Sequence, residues 1–508
     1  MPDSDQGNRV RGANARELAL LILAAAAILA LAGCQGLTSS SDPSSVSTQA
    51  GLTQINHIIF MAQENRGFDH YFGDMRQYWA ANGFPDQSFD GLPQFNPPSG
   101  ASPLQGPAPT NPGCDPAFPF PGNDCTIDAN SPQIASFHMI SQCIENPSPS
   151  WNEDHVDWNL SNPVSSTPTL DGFVWTAAHD ARNEGFSDVD GKRVMAYYDA
   201  SDLPYYRFLA SSFATSDRWF SPVMSRTQAN RMYMVAATSA GHVYPLAAGA
   251  PPLSNTTVFD LLQNAGVSWK IYVTDLTHAN PPVNDSDLNP FTAGAKYPQN
   301  VVGVDQFFTD LNNGTLPSVA YIEPGFNSGL DEHPGLDDGE PGGSVQVGSQ
   351  YVSTLIGALM KSSAWKDSVF ILTFDEFGGF YDHVPPQPAV SPDGIKPIDL
   401  QQGPPPNGPD ICVGNSGPNC DFVFTGYRVP LIVVSPFTKK NFVSHTVADY
   451  TAWLKLVETR WGLPSLTKRD AAQMDMTEFF DFSNPPWQTP PTTPAQPTNG
   501  ACYLDHLP

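Results

Sequence analysis

Residues 369–384 read VFILTFDEFGGFYDHV, an apolar run that stops at two adjacent carboxylates, two glycines and an Asp-His pair. Val, Ile and Phe in a short, nearly unbroken stretch make a strand buried on both faces, the kind found in parallel sheets. Asp375 and Glu376 at its tip repel each other unless a cation lies between them or one takes up a proton. Such a strand predicts a polar centre at the carboxyl edge of a sheet, with a cation between the carboxylates.

Other segments repeat the pattern. INHIIFMAQ (55–63), VSWKIYV (267–273), SVAYIEP (318–324), SVFILTFDE (368–376) and VPLIVVSP (429–436) are apolar strand candidates. Amphipathic helical patterns fall between several of them, at 257–266, 351–365 and 449–462. This alternation predicts an α/β fold, doubly wound around a largely parallel central sheet with helices on both faces. No internal repeat or second core separated by a linker is visible. Residues 52–483 therefore read as one catalytic domain, with Pro/Gly-rich insertions at 84–125 and 385–422 and an irregular tail over 484–508.

In open α/β sheets ligands bind beyond the carboxyl ends of the strands. Three candidate strands end in polar clusters there: Glu64-Asn65-Arg66, Glu323 with Asp331-Glu332-His333 close behind, and Asp375-Glu376 with Asp382-His383. Singly, a Glu-Asn at a strand end serves as a turn or cap, and an Asp-His pair as a surface hydrogen bond. Converging on one rim, oxygens and imidazoles suit a hard or borderline divalent cation. Thr227 precedes a helix expected from about Asn230, where backbone N–H groups favour a phosphate. Arg231 could neutralise a phosphoryl oxygen. Taken alone, Thr227 reads as a helix cap and Arg231 as a solvated residue.

The bulk composition narrows the partners. Against 24 Lys and Arg stand 51 Asp and Glu, a formal charge of −27, which argues against nucleic acid as a partner. A phosphate substrate is compatible with that charge when a metal reverses the local field. Arg9, Arg11 and Arg16 precede the apolar run LALLILAAAAILALAG, which predicts a signal peptide over 1–33. Leu31-Ala32-Gly33-Cys34 resembles a bacterial lipobox, so Cys34 is the expected lipidated N-terminus; an ordinary signal peptide or an uncleaved anchor are the alternatives. The Ser/Thr-rich stretch 34–51 reads as a tether. Six further cysteines in an exported chain suggest up to three disulfides, with Cys114–Cys125 and Cys412–Cys420 as local pairs.

ENRGFDHYFG (64–73) closely resembles the ENRSFDHYFG signature of the phosphoesterase family that contains bacterial and plant non-specific phospholipases C and a class of acid phosphatases. Thr227-Gln228-Ala229-Asn230-Arg231 is similar to the family's TxPNR motif, residues 375–384 match DExxGxxDHV, and 426–436 match GxRVPxxxxSP. The resemblance runs from about residue 52 to 482, with the motifs in family order. It implies an alkaline-phosphatase-like fold and a divalent metal (Ca, Zn, Mn or Fe) held by Glu64, Asn65, Thr227, Asp375 and Glu376. It also places His333, Asp382, His383 and His155 around the reacting phosphate.

Four positions depart from the family pattern: Gly67, Ala229, Pro149 and Tyr450 stand where relatives commonly carry Ser, Pro, His and His. These leave the metal set intact and bear on substrate preference. The expected reaction is attack of the Thr227 hydroxyl on phosphorus, with Asn230 and Arg231 on the equatorial oxygens and a histidine handling the leaving-group proton. Phospholipase C cleavage of phosphatidylcholine-type lipids is the first expectation. A broad acid phosphatase acting on small monoesters, and a catalytically silent envelope lipoprotein, are the alternatives.

Overall fold

The computed structural model describes residues 51–507, apart from 99–100, 102–105, 336–342, 404–408, 415–416 and 418. The expected leader, Cys34 and all of the tether except Gly51 lie outside the described residues. Eight strands form the central sheet: β1 (His57–Gln63), β2 (Ala214–Ser216), β3 (Trp269–Val273), β4 (Val301–Gly303), β5 (Val319–Glu323), β6 (Ser368–Phe374), β7 (Ile432–Val434) and β8 (Phe442–Ser444). Their order is β8-β2-β7-β6-β1-β5-β3-β4. β7 alone runs antiparallel to its neighbours β6 and β2; every other pairing is parallel. The five long apolar segments of the sequence each supply a strand. The three-residue strands β2, β4 and β8 are additions for which the pattern provided no signal.

All residues of β5 and β6, and all of β1 except His57, are buried, which requires cover on both faces. The register shows how that cover is divided. Phe60 of β1 lies opposite Tyr321 of β5, and Ile322, one residue on, lies opposite Tyr272 of β3. Phe60 stacks on Trp453 at 4.6 Å, and Tyr321 packs edge-on against Phe259. The helices Ala452–Trp461 and Val258–Asn264 therefore cover one face. Tyr272 projects to the other side and packs on Phe307 of the helix Asp305–Asn313. The sheet is doubly wound, as expected.

Three disulfides join Cys114 to Cys125, Cys412 to Cys420 and Cys143 to Cys502. The two local pairs are those expected, and the third ties the C-terminal tail to the body. After Phe479 the described residues form no helix or strand, yet the tail is held: the Trp487 N–H donates to Pro436 O and Gln496 is buried. Among the described residues no helix is long and apolar enough to cross a membrane.

Candidate active site

The parallel pairing of β1 with β6 sets Gln63 opposite Phe374. The next residue on each strand is Glu64 and Asp375, so one register places two carboxylates side by side at the carboxyl edge. Asn65 follows in the left-handed region, with φ of 53°, a conformation Asn tolerates better than most side chains. This turns its N–H to Asp375 Oδ1 at 2.9 Å, which also accepts the N–H of Glu376 at 2.8 Å. Glu376 Oε2 accepts the N–H of Gly378 at 2.7 Å. Gly378 is required there: its φ is +73°, and a Cβ would lie 2.1 Å from Asn65 O.

Thr227 opens the helix Thr227–Ala236, after an extended Arg226. Its hydroxyl Oγ1 stands 3.5 Å from Glu64 Oε2. Arg231, one turn along, is buried beneath it. Its Nε donates to Glu64 Oε1 at 2.7 Å, Nη1 lies 3.2 Å from Asp287 and 3.9 Å from Glu323, and Nε is 3.5 Å from Asp375 Oδ2. Four carboxylates thus surround one guanidinium. Burial pushes the Glu64 carboxyl well above its ordinary range, and the Asp375 and Asp331 charges add to that, against Arg231. Burial, then the Asp375 charge, does the same to Glu376.

Three of the expected donor atoms are left open for a cation. Asn65 Oδ1, Asp375 Oδ2 and Glu376 Oε1 are buried and accept no hydrogen bond among the described residues. Leaving a buried acceptor unsatisfied costs about 1–3 kcal/mol, a penalty that oxygen-to-cation bonds remove. Glu64, Asn65, Asp375 and Thr227 meet at one place, with Glu376 adjacent, although they come from three distant segments of the chain.

Above this floor lies a cavity of 930 Å³. Glu64, Asn65, Thr227, Arg231 and His333 line it, with Arg226, Gln228, Asp285, Asp287 and Asn327. Pro245, Leu246, Pro252, Phe291 and Phe326 form an apolar wall. The Phe326 ring sits 5.0 Å from the Arg231 guanidinium carbon. His333 Nδ1 is 2.6 Å from Pro334 O and therefore carries the hydrogen, which leaves Nε2 to accept from Asn65 Nδ2 at 3.1 Å. Glu332 locks this histidine to the tip of β1. Its carboxylate accepts from the hydroxyls of Tyr71 and Tyr206 and from Gln63 Nε2, and its carbonyl accepts from Arg66.

Four expected site residues lie elsewhere. His155 is enclosed in the helix Trp151–Trp158, with its ring nitrogens 2.6 Å from Trp151 O and 2.9 Å from Asn419 O. Asn230 braces the turn before Thr227: Oδ1 accepts Val223 N–H at 3.2 Å and Nδ2 donates to Ser225 O, so both ends of its amide are engaged within that turn. Asp382 is ion-paired with Arg428, and His383 lies between Asp69 at 2.6 Å and Asp90 at 3.1 Å. None of the four lines the cavity. Their polar atoms satisfy buried partners instead, a demand invisible in a linear motif. Conversely, Asp285, Asp287 and Phe326 were not anticipated. The acid-rich NDSDLNPF (284–291) follows β3, so extending the strand-tip rule to that strand would have found its two aspartates.

A hydroxyl at a helix N-terminus facing acidic strand tips of a doubly wound sheet suits a phosphate ester, and the family and relatives that follow make the protein a phosphoric ester hydrolase. The model described as Phosphoesterase family matches residues 55–464, and the chain belongs to that family. It is 30% identical to Phospholipase C B of Mycobacterium tuberculosis, over 90% of this chain and 82% of that one. It is also 30% identical to Non-specific phospholipase C3 of Arabidopsis thaliana, over 88% and 77% of the two chains. Among solved structures, a protein in the alkaline phosphatase superfamily from Vibrio parahaemolyticus aligns over 79% of this chain and 77% of its own, at 13% identity and a TM-score of 0.32.

Proposed function

We propose that the protein is a metal-dependent phospholipase C that cleaves phosphatidylcholine-type lipids through a phosphothreonine at Thr227. The observation that carries this reading is the Thr227 hydroxyl, 3.5 Å from Glu64, at the floor of a cavity with one apolar and one acidic wall. Glycerol and proximal acyl carbons suit the wall of Leu246, Pro252 and Phe291; a cationic head group suits Asp285. Two phospholipases C among the relatives support the same chemistry.

A divalent cation held by Glu64, Asn65, Asp375 and Glu376 would supply a Lewis acid that makes the neighbouring hydroxyl easier to ionise. The remaining steps belong to the chain. Thr227 Oγ1 bonds to phosphorus as the bond from phosphorus to the diacylglycerol oxygen breaks, and Glu64 Oε2 receives the hydroxyl proton. N–H groups at the start of the helix face the phosphoryl oxygens. Arg231 holds the Glu64 and Asp375 carboxylates in place. His333 Nε2 exchanges its hydrogen bond from Asn65 for a proton and delivers that proton to the departing oxygen. The same nitrogen then takes a proton from the water that attacks phosphorus; the bond from phosphorus to Thr227 Oγ1 breaks, Glu64 Oε2 returns its proton to that oxygen, and phosphocholine is released.

The chain is further proposed to be exported and lipidated at Cys34, with the catalytic domain facing the periplasm or the exterior. Three disulfides accord with an oxidising compartment. The test of function measures phosphocholine release from phosphatidylcholine beside hydrolysis of p-nitrophenyl phosphate, each with and without added divalent metal. Activity on the monoester alone would transfer the assignment to an acid phosphatase, and activity on neither would leave a silent lipoprotein.

A further inference from the structure

We propose that the loop 390–398, with Ile395 and Ile398 at its tip, is the surface on which the protein docks against a zwitterionic phospholipid bilayer. The proposal rests on the phospholipase C reading of the cavity. Large apolar side chains in this chain are mostly buried, yet Val390, Ile395 and Ile398 are 44%, 40% and 60% exposed in one short loop. Single exposed apolar residues are ordinary on a soluble surface; adjacent ones on a braced loop are not. Ile395 and Ile398 are adjacent. Their Cγ2 atoms both lie over Gly241, 2.7 and 3.1 Å from where a side chain there would begin.

The loop is held rigidly in this presentation. Asp393 Oδ1 accepts the N–H of Ile395 at 2.9 Å, and Oδ2 accepts the Thr238 hydroxyl at 2.6 Å. Ile398 N–H donates to Gly241 O at 2.9 Å. Asp399 accepts the N–H groups of Val243 and Tyr244 at 3.0 and 3.3 Å and faces His242 Nδ1 at 3.1 Å. Asp393 of the loop and Asp399 just beyond it are therefore engaged with the body. Lys396, between the two isoleucines in sequence, keeps 70% of its side chain exposed, with Asp421 3.3 Å from its ammonium.

Apolar tips flanking a cation match a lipid surface, where the branched chains enter the acyl boundary and the ammonium stays at the level of the phosphates. The choice of a zwitterionic surface follows from the net charge of −27, which repels an anionic one. Position supplies the link to function. The segment that Asp399 braces continues into Pro245 and Leu246 of the cavity wall, and Leu246 N–H donates at 2.6 Å to Gln228, the neighbour of Thr227. The isoleucines thus cover Gly241, in the same segment that carries Pro245 and Leu246 into the wall proposed to receive the lipid.

The test compares the chain freed of its leader (residues 1–33) and carrying Cys34→Ser with the same chain carrying Ile395→Ser and Ile398→Ser as well. Phosphocholine release is read from phosphatidylcholine vesicles and from dihexanoyl phosphatidylcholine below its micellar concentration, with cosedimentation on the same vesicles. The expected result is at least a tenfold fall in the vesicle rate and in cosedimentation, with the rate on the monomeric lipid within twofold. Equal vesicle rates, or an equal fall on both substrates, would overturn the docking surface. If neither chain cleaves either lipid, the phospholipase reading fails, and cosedimentation alone still decides whether these isoleucines bind the bilayer.

Discussion

Thr227 Oγ1 lies 3.5 Å from Glu64 Oε2, although 163 residues separate them along the chain. The contact joins the first turn of a helix to the tip of a central strand, the place where a phosphoryl group can meet a hydroxyl, helix N–H groups and an acidic floor together. Replacing Thr227 by Ala removes the only atom proposed to bond phosphorus. Turnover of phosphatidylcholine is expected to fall by about 10³-fold or more, while the far-ultraviolet spectrum and thermal midpoint stay close to wild type. Thr227→Ser is expected to retain measurable turnover, because it keeps the oxygen.

Metal dependence is read most directly on the protein itself. Wild type dialysed against a chelator is expected to lose activity and to regain it with one of Ca, Mn, Zn or Fe. Asp375→Asn is expected to lower the bound-metal stoichiometry measured by elemental analysis, because it removes the charge on an oxygen that now lacks a hydrogen bond. Full metal content with unimpaired activity in that variant would remove Asp375 from the donor set.

Asp285 offers a test of head-group choice. Its Oδ2 accepts from Asn327 Nδ2 at 2.7 Å on the acidic wall, and burial, then the Asp275 and Asp287 charges, raise its carboxyl above the ordinary range. A cationic head group would relieve that repulsion. Asp285→Asn is expected to raise KM for phosphatidylcholine about tenfold, equivalent to ~1.4 kcal/mol, and to leave KM for phosphatidylglycerol nearly unchanged. Equal changes for the two lipids would show that the residue does not read the head group.

The ion network at His383 predicts a pH dependence of stability. Burial opposes the charge on this imidazole, but Asp69 and Asp90 outweigh it and raise its pKa to about 9. A raised folded-state value means that the contribution is full below the ordinary 6.5 and is lost as pH climbs through 9. The difference amounts to about 3 kcal/mol. The thermal midpoint of wild type should fall between pH 6.5 and 9, and His383→Gln should be less stable at pH 6.5 with a flatter profile. Parallel profiles for the two proteins would rule out this histidine as the source.

The sequence by itself determined the central strands and the chemistry at their tips. Apolar segments of seven to nine residues carry their own burial signal, and Glu64, Asn65, Asp375 and Glu376 stand at the ends of two of them, so their place at the carboxyl edge was legible from the chain alone. Only the tertiary structure decided which histidine serves the cavity. His155, His333 and His383 look alike in linear motifs; two are consumed by buried carbonyls or carboxylates, and His333 alone among them lines the cavity. The short strands β2, β4 and β8 were hidden because, unlike β7, their three residues are not embedded in a longer apolar run. Asp287 reached Arg231 through a loop closed by packing. Local pattern reports what each segment prefers; which polar groups remain available depends on partners brought from far along the chain, and those are set only when the fold closes.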